Sequence, residues 1–286
     1  MDNALEVINL NKNFSDFSIN NVSFILPAGF IMGFIGPNGA GKTTTIKLIL
    51  NMLIKDSGVI KVFGKDNITS EQEIKEKIGV VMDSPFYVDD WKLSEVEKSL
   101  APFYKKWDMK KYSSMLSKFS LDSNKKVKEL SRGMKMKLMI AIALSHDADL
   151  LILDEPTSGL DAVARNELMD ILGEFIANED KAILFSTHIT TDLEKIADYI
   201  TFINDGEILY TDTKDNMMEK YLIIKGGLGI LTPEQKKLII GYHEHNVGFD
   251  GLIESERVRS MPKSVITEPS SLDEIVVRFN MGRKSK

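Results

Sequence analysis

The stretch Phe30–Leu53, FIMGFIGPNGAGKTTTIKLILNML, constrains this chain more than any other. Phe30, Ile31, Met32, Phe34 and Ile35 form a short apolar run interrupted and bounded by glycine, which reads as a buried strand. Gly36, Pro37, Asn38, Gly39, Ala40, Gly41, Lys42 and Thr43 then match G-x-x-x-x-G-K-[ST] at every fixed position. Ile46, Ile49, Leu50 and Leu53 follow at helical spacing, so a long helix is expected from about Lys42, ended by Asp56-Ser57-Gly58. A polyphosphate needs several donors converging on it, and backbone N–H groups reach it where no Cβ obstructs the approach. Gly39 and Gly41 permit that wrap, and the start of the following helix adds unpaired N–H groups and the positive end of its dipole. Lys42 is placed to reach β- and γ-phosphates, Thr43 to ligate Mg²⁺, and Thr44 to add a further phosphate contact.

The length of 286 residues allows one large domain and a small one, and 43% hydrophobic content suits a chain with a real core. No uninterrupted apolar run approaches the roughly 20 residues that a membrane helix needs. The most apolar region, 22–35, is broken by Ser23, Pro27, Gly29 and Gly33. MDNALEVINL lacks the basic and apolar regions of a signal peptide, so none is expected. The absence of cysteine excludes disulfides and thiolate metal sites and fits the cytosol. A net charge of −6 argues against a general nucleic-acid binder. Arg278, Arg283, Lys284 and Lys286 cluster locally and read as a solvated terminus.

Residues 5–8 and 22–26 read as strands of an N-terminal sheet, with Pro27-Ala28-Gly29 turning into the phosphate-loop strand. Further strands are expected at 59–63, at 78–82 before Asp83-Ser84-Pro85, at 150–153 and at 182–185. Between Pro85 and about Leu144, Trp91, Val96, Leu100, Phe103, Tyr104, Met115, Leu116 and Phe119 are spaced for helices, which reads as a helical subdomain inserted into the core. Leu168, Ile171, Leu172, Phe175 and Ile176 mark an amphipathic helix between two strands, and the alternation implies a mostly parallel sheet with covered faces. After about Met217 the texture loosens into a small α+β extension. Thr232-Pro233-Glu234-Gln235 and Ser271-Leu272-Asp273-Glu274 read as capping boxes, the second opening a helix with Ile275, Val276 and Phe279 on one face. His243 and His245 alternate as on a strand, but no third metal ligand is in view and ordinary surface histidines are the simpler reading.

Leu150-Leu151-Ile152-Leu153-Asp154-Glu155 is an apolar strand delivering two carboxylates at its C-terminal end, the edge where open α/β sheets bind ligands. Asp154 is placed to hold Mg²⁺ and Glu155 to activate a water beside the γ-phosphate. The phosphate loop, Leu130-Ser131-Arg132-Gly133-Met134, the acidic strand, Ser158-Gly159-Leu160-Asp161 and Ser186-Thr187-His188 occur in one order over roughly residues 4–215. That series resembles the ATP-binding subunit of an ABC transporter. The resemblance implies an α/β fold: a P-loop NTPase core of ABC type with an N-terminal antiparallel β-subdomain, an inserted helical subdomain and the small C-terminal extension. Residues 1–216 would form the ATP-binding domain, 85–145 its helical subdomain, and 217–286 the extension.

The resemblance assigns Ser131 and Gly133 to the signature motif, Asp161 to the D-loop, His188 to the switch histidine and Phe14 to the aromatic that stacks on adenine. Ser131 is also a plausible N-cap, and Gly133 lets backbone N–H groups approach a phosphate. In the family this helix meets the nucleotide of the opposite subunit, so two chains share two ATPs. Two motifs depart from the pattern, at three positions. Arg132 replaces a glycine and Met134 a glutamine in the signature, and Asp83 stands where the family carries a glutamine sensing Mg²⁺ and the catalytic water. The implied activity is Mg-dependent ATP hydrolysis driving a separate membrane-spanning partner, with a second ATP-binding subunit, identical or not, and no nucleic acid. Glu268 to Ile275 looks like the C-terminal part of ATPases that serve exporters of drugs, antimicrobial peptides or other amphiphiles. Phe86, Tyr87 and Trp91 are expected partly exposed, forming a docking groove with the helical subdomain at the cytoplasmic face of the membrane. The rivals are an ABC ATPase acting on ribosomes or DNA, and a regulatory nucleotide-binding module without turnover.

Overall fold

A computed structural model describes residues 2–83 and 87–284. Ser84, Pro85, Phe86 and Lys286, assigned from sequence to a turn, a docking aromatic and the basic tail, lie outside the described residues. The chain runs β1 (Asn3–Asn13), β2 (Ser18–Pro27), β3 (Ile31–Ile35), α1 (Lys42–Ile49), β4 (Ser57–Val62), β5 (Lys65–Asp66), α2 (Glu71–Lys77) and β6 (Ile78–Val81). Three helices follow, α3 (Leu93–Leu100), α4 (Met109–Lys118) and α5 (Arg132–Leu144). The core resumes with β7 (Leu150–Asp154), α6 (Ala162–Ile176), β8 (Ala182–Thr187), α7 (Thr190–Ile196), β9 (Tyr199–Asn204) and β10 (Glu207–Thr213). The last part holds α8 (Lys214–Lys220), β11 (Tyr221–Gly226), α9 (Pro233–Lys237), β12 (Ile240–His245), β13 (Gly248–Glu254), β14 (Ile266–Pro269) and α10 (Leu272–Lys284).

The central sheet has the order β10-β9-β3-β8-β7-β6 and is parallel except for β10. Every residue of β3, β7 and β8 is buried, as continuous apolar strands covered on both faces must be. Register then places the chemistry. Ile35 pairs with Thr187, and Asp154 pairs with Ser186, so three strands end level with one another. The loops that leave those ends carry Gly36, Glu155 and His188, which brings residues from three distant stretches to one sheet edge. A separate antiparallel sheet, β2-β1-β4-β5, packs its buried face beside α1.

The long helix expected to run to Asp56 stops at Ile49. Asn51 takes φ +54°, and the N–H groups of Met52 and Leu53 turn back to the Lys47 carbonyl at 2.8 and 3.2 Å. A left-handed residue with backward hydrogen bonds is a helix stop, and apolar spacing does not announce it. Leu50 and Leu53 still join the core, from a turn rather than a helix. The helical insertion forms, with two corrections: Trp91 precedes α3, and Ala101–Phe103 is a single 3₁₀ turn leaving Phe103 74% exposed.

The extension is an antiparallel sheet of order β12-β13-β11-β14 with α10 beside it. Both capping boxes form. Thr232 Oγ1 accepts from Gln235 N at 3.3 Å while Gln235 Oε1 accepts from Thr232 N at 3.0 Å. Ser271 Oγ and Glu274 Oε2 make the same exchange at 3.2 and 2.8 Å. Leu272 and Ile275 of α10 are buried in the same apolar cluster as Leu193 and Phe202 of the core. Asp273 accepts from Thr190 Oγ1 at 3.0 Å, and Glu194 accepts from the Leu272 N–H at 2.9 Å, so α10 also grips α7. Arg278 is not part of a solvated tail: it pairs with Asp250 at 2.8 Å and donates to the Gly241 carbonyl. His243 faces Asp250 at 3.5 Å, and no group of three metal-ligating side chains exists among the described residues.

Because α10 is rooted in the main core, truncating one of its buried side chains weakens the whole chain. Ile275→Ala is expected to cost about 2–5 kcal/mol, read as a lower urea midpoint. Urea titration followed both by tryptophan fluorescence and by nucleotide binding checks this, and the two transitions should shift together.

Candidate active site at the sheet edge

The phosphate loop owes its shape to its glycines. Gly39 and Gly41 take φ +82° and +108°, the left-handed region where a side chain is disfavoured. A Cβ on Gly39 would meet nothing within 4 Å, so the space beside the loop is open to a ligand. Gly41 is the N-cap of α1 and offers no side-chain cap, which leaves the first N–H groups of the helix for an anion. Ala40 is buried beneath the loop, and its carbonyl accepts from Gly206 N at 3.0 Å.

Lys42 is only 6% exposed, and its ammonium curls back into the loop. It donates to the carbonyls of Gly36 at 2.7 Å and Pro37 at 3.3 Å, and lies 3.4 Å from Glu155 Oε1. On the next residue, Thr43 Oγ1 donates to Asp154 Oδ2 at 2.7 Å, linking α1 to the end of β7. Asp154 is fully buried and accepts from Ser186 Oγ at 3.1 Å. Burial pushes its carboxyl pKa up from the ordinary value, and the Thr43 and Ser186 hydrogen bonds only partly offset that. A buried carboxylate against a threonine hydroxyl is the hard-oxygen pair that suits Mg²⁺.

Glu155 takes φ +51°, a strained conformation for a glutamate, and its N–H bonds the Ser186 carbonyl at 2.9 Å. That backbone turn swings the carboxylate out of the strand line. Oε2 accepts from Thr187 Oγ1 at 3.3 Å and lies 2.8 Å from His188 Nδ1. Glu155 and His188, 33 residues apart and predicted from two separate motifs, therefore touch. A cavity of about 390 Å³ is lined by Asn38, Gly39, Gly41, Lys42, Thr43, Thr44, Glu155 and His188, together with Phe17, Asp83, Arg132 and Ser158.

Most of the other expected site residues stand outside that cavity. Phe14 is 42% exposed, stacked 6.4 Å from Phe17 with Lys12 Nζ over its ring, and the aromatic that lines the cavity is Phe17. The sequence signal for Phe17 was its place in the same short loop between β1 and β2. Ser131 caps α5, its Oγ accepting from Met134 N at 3.3 Å. Asp161 caps α6, accepting from Ala164 N at 2.8 Å. Gly133 lies against Gly159 and Leu160 at ordinary contact distance, so packing alone does not require a glycine there. Asp83 is on the cavity wall but engages Arg132 Nη2 at 2.5 Å rather than the Thr43–Asp154 pair.

The raised pKa of Asp154 carries a stability consequence. A carboxylate whose folded pKa exceeds its unfolded value costs stability while it is ionised, and the cost disappears as pH falls through the folded pKa. Asp154→Asn should therefore leave the nucleotide-free chain as stable as wild type or more so at pH 7, with the difference shrinking in acid. Urea titrations at pH 7 and pH 4 check this; a mutant clearly weaker at pH 7 contradicts it. Mg-dependent nucleotide binding should be lost in the same variant.

Comparison with known proteins gives this geometry a context. The family profile described as ABC transporter matches residues 19–158. The lantibiotic transport ATP-binding protein SrtF of Streptococcus pyogenes is 34% identical over 76% of this chain and 95% of its own. The bacitracin transport ATP-binding protein BcrA of Bacillus licheniformis is 29% identical over 88% of this chain and 85% of its own. Among solved structures, an ATP-binding subunit of an ABC transporter superposes with a TM-score of 0.69 at 28% identity, covering 75% of this chain and 91% of that one. Likeness of this extent, over most of both chains, places the protein in the family of ABC transporter ATP-binding subunits, and it is an ATPase of that family.

Proposed function

We propose that this chain hydrolyses Mg·ATP to drive a separate membrane-spanning exporter subunit, working as one of a pair of ATP-binding subunits at the cytoplasmic face of the membrane. The observation that carries the reading is Glu155, whose carboxylate is held in the phosphate cavity by Thr187 and His188, next to Lys42. Phosphates seated on the Gly39–Gly41 amides would compete with Glu155 for the Lys42 ammonium and free a carboxylate oxygen to take a proton from water. His188 stays within hydrogen-bond reach of the same carboxylate and can orient that water or the terminal phosphate. Thr43 and Asp154 would hold Mg²⁺, which would supply charge neutralisation for the phosphates.

Pairing of two chains is supported by what lies outside the cavity. Ser131 and Gly133 open α5 without lining their own chain's site, leaving that helix start for the nucleotide of a second copy or a related chain. Docking to the membrane subunit is supported by an apolar groove of about 320 Å³ between core and helical insertion, walled by Met52, Met82, Tyr87, Tyr104 and Met139. Its flexible methionines suit an amphipathic helix of the partner. Trp91, 38% exposed, does not line that groove. No helix among the described residues is long and apolar enough to cross a membrane, and the reading assigns the spanning element to that partner. The relatives named for lantibiotic and bacitracin transport, and others named for Nod factor export, support export of an amphiphile.

A positioned general base is typically worth about 10²- to 10⁴-fold. Glu155→Gln should therefore lose turnover on that scale while still binding Mg·ATP, and should accumulate as a nucleotide-bound dimer in sedimentation. Near-normal turnover in that variant would remove Glu155 from the role and sink the reading.

A further inference from the structure

His188 stands on the short joint between β8, which ends at Thr187, and α7, which begins at Thr190. Its side chain is 46% exposed, so packing around the ring does not fix it and the backbone beneath must. The strand side of the joint is firm, because every residue of β8 is buried and Thr187 Oγ1 accepts from Ile189 N at 3.0 Å. The helix side lacks such an anchor of its own. Ile189 occupies the N-cap of α7 without a side-chain hydrogen bond, and seven residues are too few to hold a first turn by propensity.

The extension supplies the missing anchor. Thr190 is 3% exposed, and its hydroxyl donates to Asp273 Oδ1 of α10 at 3.0 Å. One turn further along α7, Glu194 Oε1 accepts from the Leu272 N–H at 2.9 Å, a donor that the first turn of α10 cannot satisfy within itself. Leu193, fully buried, belongs to the same apolar cluster as Leu272 and Ile275. The two helices thus exchange bonds in both directions beside shared apolar packing. Burial of Leu272 and Ile275 would hold α10 against the core without those bonds, since apolar contact is not directional. The bonds are directional, and sliding or rotating one helix on the other breaks them. What they add is the register of α7, two residues beyond His188. The capping box of Ser271 and Glu274 forms the start of α10 separately, so Asp273 is presented from a helix end already made.

We propose that α10 is a positioning element for ATP hydrolysis: Asp273, through Thr190, sets the start of α7 and with it the approach of His188 to Glu155. The proposal rests on the reading of His188 as the residue that orients the water or the terminal phosphate. It gives a task in the reaction to the extension, none of whose described residues lines the phosphate cavity.

The test is steady-state ATP hydrolysis by the full chain, with kcat expressed per nucleotide-binding site. Asp273→Ala should lower kcat by about three- to tenfold while the KM for Mg·ATP stays within about twofold. Thr190→Val should do the same, and the double variant should lose no more than either alone. Asp273→Asn keeps an acceptor oxygen for the Thr190 hydroxyl and should hold kcat within about twofold of wild type. In a His188→Ala background, Asp273→Ala should remove nothing further, because the side chain through which it acts is gone. A merely structural role for Asp273 predicts the opposite pattern: a lower urea midpoint and fewer binding sites, with kcat per site unchanged. That pattern would overturn the proposal, as would an undiminished effect of Asp273→Ala in the His188→Ala background. Wild-type kcat in His188→Ala alone would overturn the reading of His188 itself, and this proposal with it.

Discussion

The site depends on where the buried ammonium of Lys42 finds its partners. An interior cation must be compensated, and here two loop carbonyls and one carboxylate do so. Turning the Gly36 and Pro37 carbonyls toward the lysine is possible because the loop passes through left-handed glycines, which leaves amides for a ligand on its open side. The third partner, Glu155, is the residue whose chemistry a bound phosphate would release. One contact of 3.4 Å therefore joins the proposed binding half of the site to its proposed hydrolytic half.

The strands around that contact are built for rigidity and the acids on them are not built for stability. Asp154 is fully buried with a raised pKa, and Glu155 is held in a left-handed conformation. Both features cost folding free energy, and each sets a carboxylate at the point where the sheet ends. The fully buried β3, β7 and β8 offset that cost by burying continuous apolar surface. Helix α7, which follows His188, is gripped by α10, so the extension bears on the same edge from behind.

Much of this was legible in the residues. Glycine spacing and the lysine gave the loop, the apolar run ending in two acids gave β7, and both capping boxes formed as written. What stayed hidden was set by backbone geometry or by contacts distant in sequence. The early stop of α1 follows from Asn51 in the left-handed region, which apolar periodicity does not encode. Phe17 rather than Phe14 faces the cavity because of how a short loop turns, and spacing alone does not decide between them. Asp83 and Arg132 looked like independent departures until the fold brought them into one ion pair. Arg278 read as tail charge, and only the packing of α10 on the last sheet places it against Asp250.

The central claim is that a single cavity both binds ATP and hydrolyses it. Rapid mixing of the wild-type chain with Mg·ATP, following free phosphate under single-turnover conditions, tests it most directly. The arrangement of Lys42, Asp154, Glu155 and His188 predicts phosphate release from every bound ATP, abolished when Mg²⁺ is withheld. ATP that binds in the presence of Mg²⁺ and is recovered intact would contradict it.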